Sequence, residues 1–358
     1  MLEVQAFLRN ATAPEIGYAL LEDIYRVGVK RHRSYPNLVL LKYNHFGSPW
    51  EERIVQECRG VILDEDDDFK VVSMGYTKFF NHGESHATPI DWHTARVWEK
   101  VDGSLITLYW YNGWQVATSG TPDAATDING LDLTFGEMFW ETITDMEVDV
   151  DIFSPGHSYM FELCAPENQV VVLHQERKLY LHGVRDLTTL HEERPDSWSR
   201  VSGVPLPRSW PLTSVDQVVE AAEELEPLEQ EGYVVCDADF NRIKVKSPRY
   251  VAIHHAKNGI LSERNAANII RRGESSEFLN YFPHYARLAA KYFELVKSIQ
   301  EAWEVNRHIN DQKEFALRVK NLPYSGALFA LKAGKTKSAE DYIARLTESA
   351  YHRLLEVA

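Results

Sequence analysis

"WEKVDGSLIT", residues 98–107, sets Lys100 two positions before an Asp-Gly pair and a strand-like apolar run. Alone, the stretch has a plain reading. Asp-Gly is a common hairpin turn, and a strand that ends in lysine keeps its end soluble. The other reading is chemical, with Lys100 as a nucleophile that takes up a nucleotide. A K-x-D-G match arises by chance in roughly one chain of this size in fifteen, given average residue usage. The choice therefore rests on what the surrounding chain supplies.

Working outward, the chain has 358 residues, 44% of them hydrophobic and 25% charged. That is the composition of a soluble globular protein with room for two domains. No apolar run approaches the length of a membrane span. The first 27 residues, "MLEVQAFLRNATAPEIGYALLEDIYRV", carry early charges, so neither a signal peptide nor membrane association is expected. Cys58, Cys164 and Cys236 are widely spaced and form no C-x-x-C, which points to a reducing cytoplasm. The 14 histidines show no zinc spacing. A net charge of −15 excludes a grip on long duplexes by charge alone and leaves room only for a local basic groove.

Residues up to about 250 are mixed and strand-rich. Hairpins are expected over 59–74, around the acidic "DEDDD", over 105–120, closed by Asn112-Gly113, and over 231–247. "HSYMFELCAP", "QVVVL" and "KLYLHGVRD" read as short β-type runs, and 214–225 as a helix. Beyond Tyr250 the pattern turns helical, with Leu288, Tyr292, Leu295, Ile299 and Trp303 at helical spacing. Ser338, three residues before Asp341, marks another helix start. The expectation is an α+β fold: antiparallel sheets with flanking helices over residues 1–252, then a small all-α domain over 253–358. "AGKT" at 333–336 resembles the end of a P-loop, but Phe329 occupies the first glycine position and no strand precedes it.

Other segments follow Lys100 in a fixed order. Upstream stand "ECRGVILD", with Arg59 and Gly60, and "TKFFN", with Lys78 and Phe80. Downstream come "MFEL" with Glu162, "LYLHGVRD", "EGYVV" with Glu231, and "RIKVKSPRYV" with Lys244, Lys246 and Tyr250. From about Tyr43 to about Lys257 this series resembles the covalent nucleotidyltransferases, and most closely the phage-type RNA ligase 1 family. It implies a nucleotidyltransferase (adenylation) domain, with ATP as substrate and Mg²⁺, or Mn²⁺ in its stead, as the metal. The implied reaction joins 5′-phosphate and 3′-hydroxyl RNA ends through a lysyl-AMP intermediate and an adenylated RNA end. The expected partner is single-stranded or nicked stem-loop RNA, tRNA among the candidates, with no obligate protein partner. The expected place is the cytoplasm, that of the host for a phage-encoded chain.

The residue types suit that chemistry. A free lysine has a pKa near ~10.4, so at pH 7 about one amine in 2,500 is neutral and reactive. Neighbouring cations raise that fraction, and Lys244, Lys246 and a bound metal are the natural candidates. By the resemblance, Lys100 attacks the α-phosphorus of ATP, while Lys246 and Lys244 hold phosphates. Arg59 and Lys78 contact phosphate or the RNA end, Glu162 accepts from a ribose hydroxyl, and Glu231 orients the metal or its waters. Phe80 stacks on adenine, Tyr43 lies near the nucleotide, and Gly103 admits the ribose closely. Each has a bland counterpart. Glu162, Lys244 and Lys246 suit a solvated sheet face, Phe79 and Phe80 suit a core, and Tyr250 suits packing. One departure stands out: family members can carry a basic residue just before the glycine matching Gly120, where this chain has Ser119.

Two rivals remain. A DNA ligase or capping guanylyltransferase would follow the K-x-K strand with a small β-barrel. A nucleotide- or RNA-binding module without ligation activity would be expected to have lost the nucleophile.

Overall fold

The computed structural model describes the chain apart from residues 46, 129–130, 256–262, 274, 276–277, 280–281 and 358. Lys257, where the resemblance ends, lies outside the described residues. The chain divides into two compact units, Met1–His254 and His255–Ala358.

Three antiparallel-rich sheets build the first unit. The first runs β1 (Val27–Arg31), β2 (Leu38–Tyr43), β3 (Arg59–Asp64), β4 (Lys70–Ser73). The two others are formed from β5 (Phe80–Asn81), β6 (Arg96–Lys100), β7 (Ser104–Trp110), β8 (Trp114–Thr118), β9 (His157–Cys164), β10 (Lys178–Asp186), β11 (Glu192–Glu193), β12 (Ser209–Trp210), β13 (Gly232–Cys236) and β14 (Arg242–Lys246). Their orders are β11-β10-β9-β7-β8 and β12-β6-β13-β14-β5, with β5 parallel to β14. Apolar faces explain the layers. Helix Phe135–Asp145 sends Met138, Phe139 and Ile143 onto Ile106, Phe161 and Leu181 of the second sheet. Helix Val215–Glu223 covers Val97, Val235 and Ile243 of the third.

The expected hairpins form as β3-β4, β7-β8 and β13-β14. Asn112 and Gly113 have φ of 52° and 128°, the positive values that a tight two-residue turn needs. Asp102-Gly103, by contrast, is not a hairpin turn. β6 pairs with β12 and β13, while β7 pairs with β8 and β9, so residues 101–103 carry the chain from one sheet to another. The run "QVVVL" does not become a strand either. The amides of Val171 and Val172 donate to the Asp102 carboxylate at 3.0 and 2.8 Å, in place of a ladder.

Among its described residues the second unit is helical, with Ala286–Asn306 the longest element at 21 residues. Tyr292, Leu295 and Ile299 from that helix pack with Phe315, Leu328, Ile343 and Tyr351. Ser338 caps helix Ala339–Arg345 by accepting from the Asp341 amide at 3.1 Å. "AGKT" follows helix Ser325–Lys332 rather than a strand, so its P-loop likeness ends there. The β-barrel that the ligase and capping rivals require is thus replaced by helices. No described helix is long and apolar enough to cross a membrane.

Candidate active site

Strand register brings Lys100, Gly232 and Lys246 into one row across β6, β13 and β14. Gly232 is needed there, because a Cβ would sit 2.3 Å from the Val245 carbonyl oxygen. Glu231 precedes it and is buried between the two lysines. Lys100 Nζ donates to Glu231 Oε2 at 2.6 Å, and Lys246 Nζ lies 3.2 Å from Oε1. Burial pushes the Glu231 carboxyl up, but the two ammonium groups outweigh it and hold the acid below the usual carboxylate range.

The loop after Lys100 is fixed from three directions. Besides the two amides, the Tyr250 hydroxyl donates to Asp102 at 2.7 Å, which ties helix Pro248–His255 to the lysine loop. Gly103 runs against β9, where a Cβ would meet the Leu163 carbonyl at 2.5 Å and Glu162 Cγ at 3.1 Å. Glu162 therefore lies beside the glycine, and its Oε2 is 3.2 Å from His182 Nε2. Tyr76 stacks on the other side of His182 and bonds its Nδ1 at 2.9 Å. Gly183 leaves room for that tyrosine, since a Cβ there would overlap the Tyr76 hydroxyl.

A second group gathers cations. Lys78 lies over the rings of Tyr43, Trp50 and Phe80 at 5.2–5.7 Å, while Arg59 and Lys244 each sit 5.7 Å from Phe79. Lys42 stands 4.8 Å over Tyr43 and donates to Ser119 Oγ at 3.1 Å. In their midst is His45, driven down to about 4 by burial and by Lys42, Lys78, Lys244 and Arg59, so it is neutral near pH 7. Lys244 and Lys246 share one face of β14 and thereby link this group to Lys100.

The residues expected from sequence thus fall into three neighbourhoods. Lys100, Glu231 and Lys246 touch. Gly103 and Glu162 adjoin. Arg59, Lys78, Lys244 and Tyr43 share the cationic group. Phe80 requires a correction. It is 5% exposed, with Trp50, His86 and Lys78 against its ring, so stacking on adenine is not open to it in this arrangement. Sequence reasoning did not assign Lys42, Asp102, Tyr76 or His182 a role. Asp102, inside K-x-D-G, and His182, inside "LYLHGVRD", stood within segments that the sequence already marked.

Beside Lys100 opens a cleft of about 650 Å³, lined among others by Glu99, Val172, Leu173, Tyr180, Leu228 and Glu231. Val172, Leu173 and Leu228 give the cleft an apolar patch, while its charged lining is mostly acidic, with Lys100 and Lys178 as the cations. The expected Mg²⁺ ligand fits less well. Both Glu231 oxygens are taken by lysines and Glu162 is held by His182, so this donor set does not form a site for a bare divalent ion.

An adenylation-type sheet pair with a lysine at its junction defines a covalent nucleotidyltransferase fold. Residues 57–250, more than half of the chain, match the RNA ligase family, and the chain belongs to it, in its phage-type RNA ligase 1 branch. A protein of Autographa californica nuclear polyhedrosis virus, named as a bifunctional polynucleotide kinase/RNA ligase, is 27% identical over 97% of this chain and 52% of its own length. This chain thus spans about half of that relative. An RNA ligase of Rhodothermus phage RM378 is 26% identical over 72% of each chain. In fold, an archaeal ATP-dependent RNA ligase superposes with a TM-score of 0.51 over 90% of both chains at 11% identity.

Proposed function

We propose that this protein is an ATP-dependent RNA ligase that acts through a lysyl-AMP intermediate on Lys100. The observation that carries the reading is the Lys100–Glu231–Lys246 contact, of which Lys100 and Glu231 line the cleft. Glu231 accepts from Lys100 Nζ at 2.6 Å and so orients the amine, while the proton that Lys100 must lose before attack passes to solvent. The Lys100 nitrogen then bonds to the α-phosphorus of ATP as the Pα–O–Pβ bond breaks and pyrophosphate leaves. Lys246, freed of its share of Glu231, holds the α-phosphate oxygens, and Lys244 the phosphates that depart. In the next step an oxygen of the RNA 5′-phosphate attacks the same phosphorus, the P–N bond breaks, and Lys100 regains a proton. Finally the 3′-hydroxyl of a second end attacks the RNA phosphorus and AMP leaves.

In this reading adenine lies on the apolar flank formed by Val172, Leu173 and Leu228. Glu162, oriented by His182, accepts from a ribose hydroxyl beside Gly103. Mg²⁺, or Mn²⁺, would be supplied with ATP and would neutralise phosphate charge, so excess chelator should abolish activity. Arg59 and Lys78 meet phosphate in the cationic group. The natural substrate is single-stranded or nicked stem-loop RNA in the cytoplasm, with tRNA a substrate of that class. The test supplies ATP, Mg²⁺ and a 5′-phosphorylated oligoribonucleotide. Circular or joined product is expected with ATP and little with GTP. Efficient use of GTP, or no joining at all, would overturn the reading.

A further inference from the structure

The cationic group is charged beyond what its own neighbours neutralise. Among the described residues no carboxylate lies within ion-pair distance of Lys42, Arg59 or Lys78. Arg59 Nη1 is buried with no hydrogen-bond partner. A buried guanidinium nitrogen without an acceptor is costly, and a phosphate oxygen is the acceptor it matches best. Lys42 adds a further cation that the family pattern did not lead one to expect. It comes from β2, and its ammonium rests on Ser119, at the position where relatives can carry a basic residue. Gly60 makes this contact close. A Cβ there would fall 2.9 Å from Ser119 Cα, so only glycine lets β3 lie directly against the 119–120 turn, with Arg59 alongside.

We propose that Lys42 is a phosphate-binding residue of this ligase, its positive charge delivered from β2 onto the turn at Ser119. Its ligand is a terminal phosphate, either that of ATP or that at the RNA 5′ end. The inference rests on the ligase reading for the second of these sources, but the phosphate site itself can be tested without it. The electrostatics agree with the geometry: burial, then Arg59, Lys78 and Lys30, bring the Lys42 ammonium down to about 7, so an arriving dianion restores its full charge.

The experiment compares wild type, Lys42→Ser, Lys42→Met and the exchange Lys42→Ser with Ser119→Lys. The exchange puts a lysine across the same contact from the other side. One arm measures lysyl-AMP formation against ATP concentration. A second loads the enzyme with AMP, removes ATP, and measures AMP transfer to 5′-phosphorylated RNA. A third follows thermal stabilisation by pyrophosphate and by inorganic phosphate. Loss of one charge-assisted hydrogen bond should weaken one of the first two arms by about tenfold to a hundredfold. Loss in the first arm identifies the phosphates of ATP, and loss in the second the RNA end. The exchange should recover most of it, which a packing defect would not. The thermal shift should disappear in Lys42→Met. Wild-type behaviour of both single variants in all arms, or an exchange that recovers nothing, would overturn the proposal. A wild-type enzyme that forms no lysyl-AMP but still shows a Lys42-dependent phosphate shift would sink the ligase reading and leave the site standing.

Discussion

Asp102 accepts the amides of residues 171 and 172 and the hydroxyl of Tyr250, so one carboxylate joins the lysine loop to segments 69 to 148 positions downstream. Removing one partner of a buried, charge-assisted bond costs about 1.5–3 kcal/mol. Tyr250→Phe should lose that much in urea unfolding and should also slow lysyl-AMP formation, because the loop that presents Lys100 loosens. An unchanged midpoint would show the bond to be dispensable. Glu231 makes a prediction with a pH sign. Its folded pKa lies below the usual value of 4.5, so its contribution is full above that value and is lost as pH falls through the folded pKa. Glu231→Gln should therefore cost about 1.5–3 kcal/mol near pH 7, by taking the carboxylate from between two half-buried lysines. The gap to wild type should close in acid. A gap that stays constant down to pH 3 would contradict the ion-pair account.

At the scale of elements, local signals were legible and long-range ones were not. The Asn112-Gly113 turn could be read because positive φ at both residues is a local demand. Asp102-Gly103 carries the same letters, yet its partners are in other sheets, and nothing local distinguishes a turn from a crossing. "QVVVL" has the composition of a strand, but its amides are claimed by a carboxylate that the local sequence does not announce. Phe80 was ambiguous for a related reason, since an aromatic beside a motif reads alike whether it meets a base or Trp50. The site residues themselves were legible because their spacing reflects register, which sets Lys100 opposite Gly232 and Gly232 opposite Lys246. Gly103 gives the element-scale test. Gly103→Ala puts a carbon 2.5 Å from the Leu163 carbonyl, so the crossing must shift away from β9. The expected cost is about 1–3 kcal/mol, with a weaker apparent affinity for ATP beside Glu162. A variant as stable and active as wild type would show that the crossing has slack.

For the whole molecule, a net charge of −15 coexists with a cationic group that gathers Lys42, Arg59, Lys78 and Lys244. An acidic chain thus accommodates a local cationic group, and in the ligase reading RNA choice falls to shape and stacking. The helical unit, His255–Ala358, is our candidate for that choice. A protein truncated after His254 keeps Tyr250 and its bond to Asp102. It should still form lysyl-AMP but lose preference between a nicked stem-loop and a plain oligonucleotide at fixed salt. An unchanged preference would assign the helices to stability alone. All of this depends on the chemistry of one side chain. The most direct measurement incubates the protein with ATP and Mg²⁺, digests it, and locates the AMP adduct by mass spectrometry. The account predicts a single acid-labile phosphoramidate on the peptide that carries Lys100, absent from a folded Lys100→Ala variant. An adduct on another lysine, or one that persists in that variant, would contradict it.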